Sequence, residues 1–276
     1  MLVFLVVSVY PLLTGLSLSF QDQNLYKGSK QGFIGLKNFA QVFFSDKEFR
    51  ADFLFTVVYT LCVVLIAYAL GLIFALLLNQ KIPCRQLFRV LVLIPWIIPP
   101  VVSSMSWNWL LNDTFGFVNH FLKSVGVIDE SILFLANKTL AKATVIAVGA
   151  WRNFPFMTVV ILAGLQSVSH DYYEAASIDG AGAFQKFRYI TLPMLKSVSV
   201  IAVTLVTIWT FNNFDNIYLL TKGGPAQSTE VLSILTYNNA FFRGSISYAS
   251  AMATIMLLLM MAGSAIYFKV SKVNQE

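Results

Sequence analysis

Charge is what this chain has least of. Asp, Glu, Lys and Arg together make up 12% of its 276 residues, against roughly 25% in soluble domains, too few to solvate a soluble globule of this length. Cysteine is nearly absent as well. Cys62 stands inside an apolar stretch and Cys84 in a short polar turn, so the two are not expected to meet, which leaves a core residue and a free thiol. The only histidines, His120 and His170, lie far apart in sequence, and a metal centre is not expected. No glycine-rich loop ends in Lys-Ser/Thr to cradle phosphates. The net charge of +6 is spread too thinly to form a nucleic-acid footprint. These absences exclude a hydrolytic or metal-dependent enzyme built on this chain alone.

What the chain does have is apolar length. With 57% hydrophobic residues it reads as an all-α, polytopic membrane protein. Six stretches, 2–20, 53–78, 87–111, 140–165, 198–220 and 246–270, approach or exceed the roughly 20 residues a helix needs to cross a bilayer. The first has no basic flank before it and no small-residue cleavage site after it, so it reads as a retained span rather than a leader. We expect two regions: 1–52, a first span with an outer amphipathic segment, and 53–276, a five-helix core that includes a polar loop at 167–197. Lysine and arginine counts do not decide the orientation. Only the turn 79–89, with Lys81, Arg85 and Arg89 and no acid, argues for the inside.

Several features within the spans carry physical meaning. Ala67, Gly71 and Ala75 recur every four residues, a small-residue stripe that lets another helix approach closely. Pro95, Pro99 and Pro100 predict a bent third span, and Trp107 and Trp109 near its end read as an interfacial belt. Arg152 falls mid-span, where a cation costs about 2.5–3.5 kcal/mol on insertion scales and usually faces a cavity or a partner. At 100° per residue Gly149, Arg152, Asn153 and Phe156 form one stripe, and Val206, Trp209, Thr210 and Asn213 another. Aromatic platforms beside amides and hydroxyls can grip a sugar; the same stripes can equally be interhelical hydrogen bonds and packing. Asp215 falls half a turn from Asn213, away from Arg152, so Arg152 is expected to meet water, a partner chain or an anionic substrate.

The polar stretch 174–193, EAASIDGAGAFQKFRYITLP, reads as a short helix, a glycine bend and a segment stopped by Pro193 just before the next span. A bilayer-surface helix would need a Lys/Arg face opposite bulky Trp, Phe or Leu residues, and 171–182 has neither. Its spacing, Glu174-Ala175-Ala176, then Gly180, then Ile190 and Leu192-Pro193, resembles the EAA loop of bacterial ABC importer permeases. Further stretches look like the carbohydrate type, and in particular the larger permease subunits of maltose-type importers: Gly35-Leu36-x-Asn38-Phe39, Phe115-Gly116-x-x-Asn119, Trp151-x-x-x-Pro155-Phe156, Phe211-Asn212-Asn213-Phe214, and Leu220-Thr221-x-Gly223-Gly224-Pro225.

That resemblance, which covers nearly the whole chain, implies a six-helix type I permease fold with cytoplasmic termini in a bacterial inner membrane. It implies that Glu174, Ala175, Ala176, Asp179, Gly180, Ala181 and Gly182 couple to a separate ATPase, and that Arg152, Asn153, Phe156, Trp209, Thr210 and Asn213 line the substrate pathway. Gly149 and Thr210 stand where the maltose-type pattern has amides, so the sugar itself is left open. The implied partners are a homologous second permease, two ATP-binding subunits that hold ATP and Mg, and an extracytoplasmic solute-binding protein; this chain would carry no cofactor of its own. Two other readings stay open: a permease of another ABC import class, for amino acids, peptides or anions, and an ion-coupled secondary transporter, which would need titratable intramembrane residues and repeats.

Overall fold

The computed structural model describes residues 2–26 and 32–273; Lys27 and Lys30, and the side chains of 266–273 with Lys269 and Lys272 among them, lie outside the described set. The chain is mostly helical: α1 (Leu5–Leu18), α2 (Lys47–Asn79), α3 (Arg85–Ile97), α4 (Pro100–Leu110), α5 (Phe117–Ser124), α6 (Lys138–Ser167), α7 (His170–Ile178), α8 (Ala183–Phe211), α9 (Asp215–Thr221), α10 (Leu232–Tyr237) and α11 (Ile246–Val273). A two-residue ladder pairs Gln21 with Phe33 and Asp22 with Gly32 in antiparallel register.

Four of these helices, α2, α6, α8 and α11, are long and apolar enough to cross a membrane, and α3 with α4 makes a fifth crossing only if the bent pair counts as one. Six spans were expected, the third of them bent, and three of them differ. The first is a shorter apolar helix. In the third, the chain turns by 92° between α3 and α4, because Ile98 and Pro99 both take extended ψ, 129° and 142°; a residue before proline is pushed out of the helical region, and two prolines in succession make a break where one would make a kink. The fifth does not run from 198 to 220. Its helix begins at Ala183 and ends at Phe211, and α9 restarts at Asp215. Pro193 therefore does not stop the segment. A π turn over Phe187–Thr191 precedes it, and Thr191 donates its hydroxyl to the Lys186 carbonyl at 3.4 Å; a wider turn absorbs a missing N–H that an α turn would not.

The most extensive packing in the molecule is between α2 and α6. Both helices are capped at their starts: Asp46 accepts from the Phe49 amide at 2.9 Å, and Asn137 from the amides of Thr139 and Leu140. Their contact depends on two glycines. A β-carbon at Gly71 would sit 2.5 Å from Met157 Cβ, and one at Gly149 would sit 2.7 Å from the Tyr59 hydroxyl. Around this seam Val64, Ala67, Phe154, Met157, Ile161 and, from α8, Leu195, Ala202 and Val206 form a buried core.

Filling this seam should be costly. Gly71→Val is expected to destabilise the folded chain by about 1–3 kcal/mol or more, read as a lower thermal unfolding midpoint in detergent. Gly15→Ala, where no atom lies within 4 Å of the added carbon, should not lower the midpoint, since alanine is the better helix former.

Candidate functional site

Three helices bring an aromatic cluster together on one open face of the chain. Phe156 of α6 packs edge-on against Trp209 of α8 with ring centroids 4.9 Å apart, and against Trp96 of α3 at 5.8 Å. Trp209 keeps 43% and Trp96 47% of its surface exposed, so the cluster is an open aromatic wall rather than a filled core. Phe156 and Trp209 are the two aromatics expected from the sequence. Trp96 was missed; an aromatic beside Pro95, just before a proline break, was the available signal.

Arg152 lies one turn of α6 from Phe156, half-buried, and donates from Nη1 to Ser103 Oγ at 3.4 Å. Among the described residues no carboxylate lies within 4 Å of it. Asp215 stays within electrostatic range, although the helical wheel placed it away; the wheel does not carry across the break at Asn212, where α8 ends. The remaining expected residues split. Asn153 is buried and spends its amide on the Gly149 carbonyl at 2.8 Å. Thr210 is buried with its hydroxyl unpartnered, and the side-chain oxygen of half-buried Asn213 is likewise buried and unpartnered. Gly149 belongs to the seam against Tyr59. Of the two tryptophans expected to form an interfacial belt, Trp107 meets Trp151 edge-on at 5.4 Å, whereas Trp109 is exposed.

At the other end of α6 the helix stops at Val168, and Ser169 caps α7 by accepting from the Asp171 amide at 3.3 Å. The first-turn acid is therefore Asp171. Glu174 sits one turn later, exposed, and pairs with exposed His170 at 2.9 Å, so its position owes little to the helix macrodipole. Ala175 and Ala176 form the last turns, Asp179 ends the helix and Gly180 takes φ +78°. The Ala181 amide then reaches back to the Ala176 carbonyl at 2.8 Å, and the Gly182 amide bonds the Gln185 side chain at 2.8 Å as α8 begins. The Tyr173 hydroxyl meets Thr191 at 3.0 Å and Lys186 donates to Ser177 at 2.6 Å, fastening α7 to α8. Ile178 is 87% and Phe184 76% exposed, an apolar tip to which sequence periodicity gave no pointer.

Residues 45–272 match the family model described as binding-protein-dependent transport system inner membrane component. The chain belongs to this family. Its relatives include the trehalose/maltose transport system permease protein MalF of Thermococcus litoralis, 36% identical over 88% of this chain and 81% of that protein. Another is the sulfoquinovosyl glycerol transport system permease protein SmoG of Agrobacterium fabrum, 34% identical over 96% and 85%. Among solved structures, a chain of a bacterial ABC transporter involved in the import of the acidic polysaccharide alginate shares the fold, with TM-score 0.86 at 21% identity over 100% of this chain and 93% of that one.

The permease also carries a polar cluster that no local pattern announces, because its members are about two hundred residues apart. Asp46 accepts from the Tyr248 hydroxyl at 2.6 Å, Glu48 pairs with Arg243 at 2.7 Å, and buried Glu230 accepts from Asn238 at 2.7 Å near buried Asp52. Burial pushes the Glu230 carboxyl up, and the Asn238 bond only partly opposes this. A raised acid stabilises the fold below its unfolded pKa and loses that contribution as pH rises through its folded value. Glu230→Gln keeps an acceptor for Asn238 without the buried charge. The variant should therefore unfold at a higher temperature than the wild type at pH 8, and the two should converge at pH 4.

Proposed function

We propose that this permease is one membrane half of an importer that takes up a sugar or oligosaccharide delivered from outside by an extracytoplasmic binding protein. A homologous second permease completes the pathway, and two ATP-binding subunits, which hold ATP and Mg, dock under the loop 167–197. The single observation that carries the saccharide is the open aromatic wall of Trp96, Phe156 and Trp209, since pyranose faces are apolar and stack on such rings. The named cargo of the relatives, trehalose/maltose, sulfoquinovosyl glycerol and alginate, supports the same class.

In this reading six membrane crossings place both termini and the loop in the cytoplasm, with the broken α3–α4 pair and the short α1 each counting as one crossing. Arg152, with only Ser103 as its hydrogen-bond partner among the described residues, offers a cation to the cargo and favours a saccharide carrying a carboxylate or sulfonate. Asn153, Thr210 and Asn213 meet the substrate after the helices part; in the present packing their polar groups point into the protein. Glu174 to Gly182 transmit ATPase closure, with Ile178 and Phe184 seated in the partner and the Tyr173–Thr191 bond carrying the movement to α8.

Uptake assays in reconstituted vesicles test this. Trp209→Ala and Phe156→Ala should each lower saccharide uptake about tenfold, the loss of roughly 1.4 kcal/mol of stacking, while the assembled complex still hydrolyses ATP. Arg152→Gln should reduce uptake of an acidic saccharide more than that of a neutral one. Glu174→Arg should reduce co-purification of the ATP-binding subunits; a chain that purifies alone in its wild-type form would refute the importer.

A further inference from the structure

Arg85 and Arg89 stand one turn apart on α3, and both reach one residue. With its amide oxygen turned toward them, Gln166 near the end of α6 accepts from Arg85 Nη2 at 3.2 Å and from Arg89 Nη2 at 2.7 Å. Arg85 Nε bonds the Leu78 carbonyl at the end of α2, while Arg89 Nε is buried without a partner. Among the described residues no carboxylate lies within 4 Å of either guanidinium. Two cations gathered on a neutral amide repel one another and leave donors free. That arrangement calls for an anion with several acceptor oxygens.

Two cavities of opposite character meet at the same glutamine. One is a cleft of about 1000 Å³ whose polar lining includes Lys81, Arg85, Gln166 and Lys186. The other is a groove of about 280 Å³ between α3 and α6, lined by Arg89, Gln166 and the aliphatic Val92, Leu93, Val159 and Leu162. A free phosphate would use only the first. A molecule with an anionic head and a hydrocarbon tail uses both, and basic pockets between transmembrane helices bind such headgroups. We propose that this is a binding site for an anionic phospholipid of the cytoplasmic leaflet, its phosphate held by Arg85 and Arg89 and one acyl chain laid along Val92, Val159 and Leu162. The leaflet rests on the orientation proposed above. Because α6 passes through Val168 directly into α7, the lipid would brace the root of the ATPase-facing loop.

The test uses the assembled importer in nanodiscs of phosphatidylcholine mixed with phosphatidylglycerol, with lipid retention after detergent extraction read by native mass spectrometry. Wild type should retain phosphatidylglycerol preferentially. Arg89→Gln should weaken that retention about fivefold, and Arg85→Gln with Arg89→Gln further, each charge near the surface contributing about that factor; the Arg89→Lys variant should keep most of it. Undiminished preference for phosphatidylglycerol in an intact double variant would overturn the site. So would inorganic phosphate displacing the lipid from wild type as effectively as from the double variant. The leaflet is checked separately by labelling exposed Cys84 with a membrane-impermeant maleimide: labelling from outside would refute the proposed orientation and leave the retention result to judge the site.

Discussion

The close approach of α2 and α6 at Gly71 and Gly149 is the constraint on which the rest of this structure depends. In lipid there is little hydrophobic gain from bringing two helices together, so association relies on dispersion contacts that decay steeply with separation. Two positions without side chains let Met157 and Tyr59 reach the opposite backbone. Once that seam is set, the register of α6 is set too, and with it the direction in which Arg152 and Phe156 point. α8 then packs on both helices through Leu195, Ala202 and Val206, which presents Trp209 to Phe156. The aromatic wall is a consequence of the seam, not an independent arrangement.

The same logic explains why the polar residues of the two stripes do not behave alike. A buried amide in an apolar bundle takes whatever acceptor is nearest, and for Asn153 that is the carbonyl one turn back. Thr210 and Asn213 each leave a buried oxygen unpartnered, a state that costs free energy. Aromatic rings carry no such debt, so Trp96 and Trp209 can stay exposed.

Much of this was legible in the sequence, because membrane proteins write their fold in long apolar runs and glycine spacing. The stripe of Ala67, Gly71 and Ala75 named the packing face of α2 correctly, and Phe156 and Trp209, placed by helical angle on separate stripes, meet in the fold. What failed did so wherever the helix was not ideal. Ile98-Pro99-Pro100 produced a right-angled break rather than a bend, and Phe211 ended α8 nine residues before its apolar run stopped, which removed the basis for placing Asp215 by angle. Pro193 failed in the opposite direction, since a π turn carried the helix through it. Contacts such as Arg243 with Glu48, or Trp96 with Phe156, join residues far apart in the chain and leave no trace in local spacing. The tip formed by Ile178 and Phe184, on either side of the Gly180 bend, left no signal in the periodicity of the sequence.

The continuity of α8 through Pro193 has a mechanical meaning. From Thr191, where Tyr173 ties the loop to it, the helix runs unbroken to Trp209, a distance of about 27 Å at 1.5 Å per residue. A rod of that length amplifies angle into displacement: a tilt of about 5° at its foot moves the indole sideways by about 2 Å, on the geometry of a rigid helix. Such a shift would be enough to separate a ring pair in edge contact, so a small rotation imposed on the loop can open the wall without unfolding a single turn.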